Sequence, residues 1–186
     1  MNIVLEGPDN GGKSTLAQKL ANEMRGGVRY HHPGGKPASM REETQCAINQ
    51  IAMLGNDNLI MDRCTPISQQ VYNPDPSLHL LRNKWLAEMR FKDPVFIYCR
   101  PSTDRLMRVH DLTWRDDETE EHKQKIINGQ HDFISRYDEI MAKIPHVCYD
   151  FESSNAEIIC TKALAALRGS QADKQWFYDL MNYRSF

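Results

Sequence analysis

The chain has 186 residues, with 23 Lys and Arg against 25 Asp and Glu and a formal net charge of −2. This length suits a single α/β domain spanning residues 1–186, with a real core but no room for two full domains, and the near-balance of charge excludes a bulk basic footprint for duplex nucleic acid while leaving a local basic groove open. The five cysteines, scattered without a C-x-x-C pair, read as reduced, buried thiols, and with a strand entered at residue 2 and no apolar run of membrane-spanning length, a soluble cytoplasmic protein with no membrane partner is expected.

From the N-terminus, residues 2–5 are an apolar run suited to a buried parallel strand, and residues 14–21 set Leu16 and Leu20 on one helical face. Between them Gly7-Pro8-Asp9-Asn10-Gly11-Gly12-Lys13-Ser14 is a complete G-x-x-x-x-G-K-[ST] phosphate loop, in the strand-to-helix context the motif requires. Its glycines let backbone N–H groups converge on phosphate oxygens, Lys13 bridges the outer phosphates, and the Ser14 hydroxyl suits Mg²⁺. The set expected around ATP is Gly7, Asn10, Gly11, Gly12, Lys13, Ser14 and Thr15. A glycine-rich turn that merely joined a strand to a helix would not need Lys followed by Ser.

Further strands are expected at residues 28–30, 59–61, 95–99 and 146–149, and helices at 38–54, 77–91, 103–110, 118–143 and 154–168, each with apolar residues at helical spacing. Alternation of this kind predicts a three-layer fold, a parallel sheet of about five strands with helices on both faces and ligands at the strands' carboxyl ends. The third strand ends in Asp62-Arg63. An Asp at a strand end is commonly a cap or turn former; about fifty residues after a phosphate loop it reads as a carboxylate beside Mg²⁺, and the Arg63 guanidinium as a two-pronged grip on a phosphate.

Residues 110–121 lack apolar periodicity and mix charges, so they are the expected mobile lid, with Arg115 placed to swing onto the transferring phosphate and Arg108 as second choice. A solvated loop charge is the competing account of either arginine. Trp114 in that lid would stack on a base or pin the closed loop, whereas Trp85, at helical spacing with Leu81 and Met89, reads as core. The seven histidines show no metal-ligand spacing, which argues against zinc. The aromatic-rich tail at residues 171–186 reads as a terminal helix packed on the core or on a second subunit, so a homodimer is open.

Three motifs in order resemble the thymidylate kinases. Residues 6–15, Glu-Gly-Pro-Asp-Asn-Gly-Gly-Lys-Ser-Thr, look like that family's phosphate loop; His32-Pro33-Gly34-Gly35 resembles its Glu-Pro-Gly-Gly; and Asp62-Arg63 with Ser68 and Tyr72 is similar to its Asp-Arg, Ser and Tyr series. The resemblance covers roughly the first seventy residues. It implies a phosphate-loop kinase fold, ATP and Mg²⁺ as cofactors, and a nucleotide acceptor, with Asp9 on the sugar hydroxyl, Arg63 on the acceptor phosphate, Tyr72 lining the sugar or base pocket and His32 beside the acceptor. Metal contacts would come from Ser14 and Asp62, and the catalytic set would be Lys13, Arg63, Arg115 and Glu6. Independently, a carboxylate at Asp9 inside an anion-attracting loop is costly unless it meets a donor such as a sugar hydroxyl.

The chain also departs from that pattern. His31 stands where the family carries Arg, and residues 33–62 are compact, with Arg41 as their one Arg, so a wall of the acceptor pocket is missing or rebuilt. Tyr98-Cys99-Arg100, followed by Arg108, Arg115 and Asp116-Asp117-Glu118, resembles the corresponding strand and lid of the deoxynucleoside kinases, in which a Glu placed like Glu6 takes the acceptor hydroxyl's proton. The expected activity is ATP-dependent conversion of a thymidylate-like monophosphate to the diphosphate, by a compact, phage-type member of the family. The alternative is phosphorylation of a hydroxyl, of a deoxynucleoside or of a 5-hydroxymethyluracil-type base in DNA, and a non-catalytic nucleotide switch is the third reading.

Overall fold

The structure is a computed structural model that describes residues 2–24, 27–55, 58–108 and 119–168. Its strands are β1 (Asn2–Glu6), β2 (Arg29–His31), β3 (Leu59–Asp62), β4 (Val95–Cys99) and β5 (Val147–Tyr149), and its helices α1 (Lys13–Glu23), α2 (Met40–Met53), α3 (Thr65–Tyr72), α4 (His79–Phe91), α5 (Thr103–Leu106), α6 (Glu120–Met141) and α7 (Ala156–Arg168). The strands form one sheet in the order β2-β3-β1-β4-β5, and every pairing is parallel. The phosphate-loop strand β1 is therefore central, between the strand that ends in Asp62 and β4.

Period-two alternation divides the sheet's side chains between two apolar layers. Ile3, Leu5, Ile60 and Ile97 pack with Leu16 and Leu20 of α1 and Ile159 of α7. Val4, Leu59, Met61 and Phe96 pack on the other face with Ile67 of α3, Met89 of α4 and Tyr137 of α6. Trp85 is 5% exposed, as its spacing predicts.

Helix starts follow local chemistry. Ser39 accepts the Glu42 N–H at 3.2 Å while the Glu42 carboxylate takes the Ala38 N–H at 2.7 Å, a reciprocal cap at the start of α2. The stretch expected as helix from residue 77 opens as a single tight turn, Pro76–Leu78, capped by Asp75, before α4 begins. The second strand lies one residue later than expected.

The helix α3 has no counterpart among the expected elements. Its sequence, Thr-Pro-Ile-Ser-Gln-Gln-Val-Tyr, is short, and seven of its eight residues are buried, so it shows no amphipathic stripe; the local signal is Pro66 in its first turn, where the missing N–H costs nothing. Two further corrections concern the thiols: all five cysteines are free, but Cys46 and Cys148 are only half-buried. Among the described residues no helix is long and apolar enough to cross a membrane. The tail at 171–186 and most of the expected lid, with Arg115 and Trp114, lie outside the described residues.

Candidate active site

The phosphate loop passes so close to the end of β4 and to Phe151 that side chains are excluded at its glycines. Gly7, at φ +143°, would put a Cβ 2.3 Å from the Cys99 carbonyl oxygen, and Gly12, at φ +83°, would put one 2.9 Å from the Phe151 ring; both conformations also disfavour L side chains. Gly12 caps α1, so the loop's N–H groups and the helix's positive end converge on one spot. Lys13 is 7% exposed and folds its Nζ back onto the Gly7 and Pro8 carbonyl oxygens at 2.9 and 2.6 Å. Burial lowers the pKa of this ammonium, which makes an anion in the loop a favourable partner for it.

Asp62 lies beside the loop, 1% exposed. Its Oδ2 accepts hydrogen bonds from the Tyr30 hydroxyl at 2.7 Å and the Ser14 hydroxyl at 3.4 Å, and its Oδ1 is buried without a hydrogen-bond partner. A buried anionic oxygen without a donor calls for a cation, and the hard oxygen set of Asp62 and Ser14 fits Mg²⁺ rather than a softer metal. The residues present therefore fit the expected metal. The sequence marks Tyr30 only as part of a strand; burial and the Asp62 carboxylate raise its pKa.

Arg63, the next residue, adopts φ +74° while its backbone N–H still extends the ladder to the Leu5 carbonyl at 2.8 Å. The turn directs its guanidinium onto Asp9 Oδ1 at 2.5 Å and over the Tyr72 ring at 4.8 Å from the centroid; Tyr72 in turn donates its hydroxyl to Asp9 Oδ2 at 3.1 Å. Asp9 thus meets the donors that its place in the loop calls for, and Arg63 and Tyr72 of the protein itself supply them. The ion pair also holds the guanidinium in one orientation at the cavity wall.

Glu6 is fully buried. Its Oε1 accepts the Cys64 backbone N–H at 2.5 Å, at the start of α3, while Oε2 is buried without a hydrogen-bond partner. Burial pushes this carboxyl up to about 7, partly opposed by the Cys64 N–H and the cations Arg63 and Lys13. A group so poised exchanges a proton near neutrality.

Asp9, Lys13, Ser14, Asp62, Arg63 and Tyr72 border a cavity of about 870 Å³, within the size range of ligand sites, whereas Glu6 and Tyr30 are not among its lining residues. On one side are Asn10 to Thr15, on another His32 to Pro37, and α3 supplies a third wall with Thr65, Ser68, Gln69 and Tyr72. Ser68 Oγ and Gln69 Oε1 are buried there without hydrogen-bond partners, which suits polar ligand groups. His32 sits exposed on the rim. Arg105 and Lys125, neither singled out by motif, also line the cavity, and Arg105 stacks over the Phe151 ring. Arg100 is spent elsewhere, pairing with Asp138 through two nitrogens at 2.8 and 3.0 Å while the Tyr98 hydroxyl donates to the same carboxylate.

The third wall is braced from outside the cavity. Arg82, 1% exposed, holds Glu43 of α2 through two bonds of 2.6 and 2.9 Å and donates to the Asn73 carbonyl at 3.0 Å. Arg136 of α6 donates to the Val71 carbonyl at 2.9 Å, and Gln50 of α2 accepts the Thr65 N–H at 2.7 Å. Tyr72 itself packs on Phe133, centroids 4.8 Å apart.

No protein-family model and no curated protein matches this sequence. Among solved structures, the chain is similar to the YorR protein of Bacillus subtilis in complex with phosphorylated GDP, with a TM-score of 0.63 and 19% identity over 90% of this chain and 96% of that one. It is similar to the thymidylate kinase of Candida albicans, with 0.54 and 14% over 92% of both chains, and to a gluconokinase of Sinorhizobium meliloti 1021, with 0.52 and 13% over 100% of this chain and 97% of that one. At such identities the likeness is one of fold: the five-stranded parallel sheet flanked by helices is that of the phosphate-loop kinases.

Proposed function

We propose that this protein is an ATP-dependent phosphotransferase that converts a deoxynucleoside monophosphate of the thymidylate type to its diphosphate. One observation carries the reading: the Asp9–Arg63–Tyr72 cluster stands in the same cavity as the phosphate loop, so a second phosphate has an oriented, charge-assisted donor next to the first. The similarity of fold to a thymidylate kinase supports it.

In this reading the acceptor phosphate oxygen attacks the γ-phosphorus of ATP as the bond from that phosphorus to the bridging oxygen breaks, and ADP leaves. Lys13 exchanges its loop carbonyls for phosphate oxygens and offsets the charge that gathers on the transferring group. Loop N–H groups from Asn10 to Thr15 orient the triphosphate, while Arg63, fixed by Asp9, holds the acceptor in line. Asp62 and Ser14 would hold Mg²⁺, which neutralises phosphate charge when bound. Arg105 and Lys125 add positive potential at the cavity wall, and Arg115 stays the proposed lid cation. The test is transfer of label from ATP across a panel of monophosphates, nucleosides and 5-hydroxymethyluracil-containing DNA. Labelled deoxynucleoside diphosphate is expected, and no transfer to any monophosphate overturns the reading.

A second reading draws on Glu6. A carboxyl near 7 with a free buried oxygen is what a hydroxyl acceptor needs as its base, whereas a phosphate acceptor is already anionic. If the acceptor is a hydroxyl of a deoxynucleoside or of a modified pyrimidine in DNA, Glu6→Gln lowers kcat by roughly 10²–10⁴-fold; for a phosphate acceptor the loss is small.

A further inference from the structure

No motif in the sequence points to Tyr30. It belongs to the edge strand β2, aligned with Ile60 of β3, and its side chain reaches along the neighbouring strand to Asp62, two residues further on. It is 49% exposed and belongs to neither apolar layer. Its hydroxyl donates to Asp62 Oδ2 at 2.7 Å and also lies beside the Ser14 hydroxyl.

That bond gains importance when the Ser14 hydroxyl turns to a cation. The Ser14 contact with Asp62 is already long at 3.4 Å, and a hydroxyl committed to a metal no longer donates along its former direction. The Tyr30 hydroxyl then remains as a donor on Oδ2, and Oδ1, buried without a partner, is the oxygen left for the metal or its water. Donors on the other oxygen of a metal-binding carboxylate fix its orientation and tune its affinity.

We propose that Tyr30 is a positioning residue of the cation site, holding Asp62 by Oδ2 so that Oδ1 takes a divalent cation bound with the nucleotide. The proposal rests on the donor-site reading given above, and the experiment separates the two. Full-length wild-type protein and Tyr30→Phe are titrated with Mn²⁺, as a spectroscopic stand-in for Mg²⁺, in the presence of ADP, with free Mn²⁺ read by electron paramagnetic resonance. ADP binding in EDTA is measured by calorimetry, and thermal unfolding is recorded for each protein. The Phe variant is expected to bind Mn²⁺ roughly tenfold more weakly while keeping its metal-free ADP affinity and its Tm. Unchanged Mn²⁺ affinity overturns the proposal, and so does tighter binding, which would make Tyr30 a plug over Asp62. A Tyr30→Leu variant separates hydroxyl from ring: an equal shift in both variants supports the proposal, whereas a shift in Leu alone overturns it. Wild-type protein that binds ADP without any response to Mn²⁺ overturns the donor-site reading and this proposal with it.

Discussion

The phosphate loop and the helical wall formed by α3 border the same cavity, but they are held in place by different means. Between Gly7 and Ser14 the backbone turn, the glycines that permit it and the lysine that fills it are neighbours in sequence. The wall carrying Ser68, Gln69 and Tyr72 depends on Glu43, Gln50, Arg82 and Arg136, drawn from three other helices. One half of the site is a local backbone structure; the other is an assembly whose geometry is only as secure as a buried ion pair. Changes in the loop should therefore impair chemistry with little effect on folding, and changes behind the wall should do the reverse.

Lys13→Ala is the strongest way to break that contrast. It should lower kcat/KM by about 10³-fold with Tm near the wild-type value, and a collapse of Tm would place the lysine among the fold's supports. Behind the wall, Arg82→Met leaves the Glu43 carboxylate buried without its cation and should cost about 3–5 kcal/mol in urea unfolding. Adding Glu43→Leu should recover most of that loss, because the desolvation of two charges disappears together; a double variant as unstable as the single one would show that the pair's shape matters more than its charge.

Glu6 lies between the two halves, and its effect follows pH. In the folded chain its carboxyl keeps a proton up to about pH 7, against an ordinary value of 4.5. Folding therefore takes up a proton between those values, and stability falls as pH rises through them, the full loss being present above pH 7. Glu6→Gln does not ionise. Its stability should match wild type below pH 4.5 and exceed it by about 3 kcal/mol above pH 7; a constant difference across that range in chemical denaturation would remove Glu6 as the titrating group. The smallest effect is expected from Arg63→Lys, which keeps the charge but loses the planar fork. An increase in acceptor KM of roughly 10–100-fold with the KM for ATP unchanged is expected, and equal changes in both would mean that Arg63 serves donor and acceptor alike.

Legibility divides along the same line. The strand Leu59–Asp62 ends in Asp-Arg because β3 stops at the sheet's carboxyl edge, and the sequence pattern is enough to place both residues at the loop. The partners of Asp9 were not readable in this way. Its charge is met by Arg63 and Tyr72, which lie more than fifty residues away and meet it only through the positive-φ turn at Arg63 and the course of α3. The helix itself carries no local signature, because burial on nearly all sides erases the stripe that marks a surface helix.

By itself the sequence determined the alternation of strands and helices, the phosphate loop and the acid–base pair at the end of β3, since each depends on backbone preferences and side-chain periodicity within a few residues. Tertiary structure decided the rest: the burial that raises Glu6, the reach of Tyr30 to Asp62, and the α3 wall braced by Arg82. The reason is physical. Desolvation and hydrogen-bond partnership depend on which distant groups share a volume, and no local pattern records that.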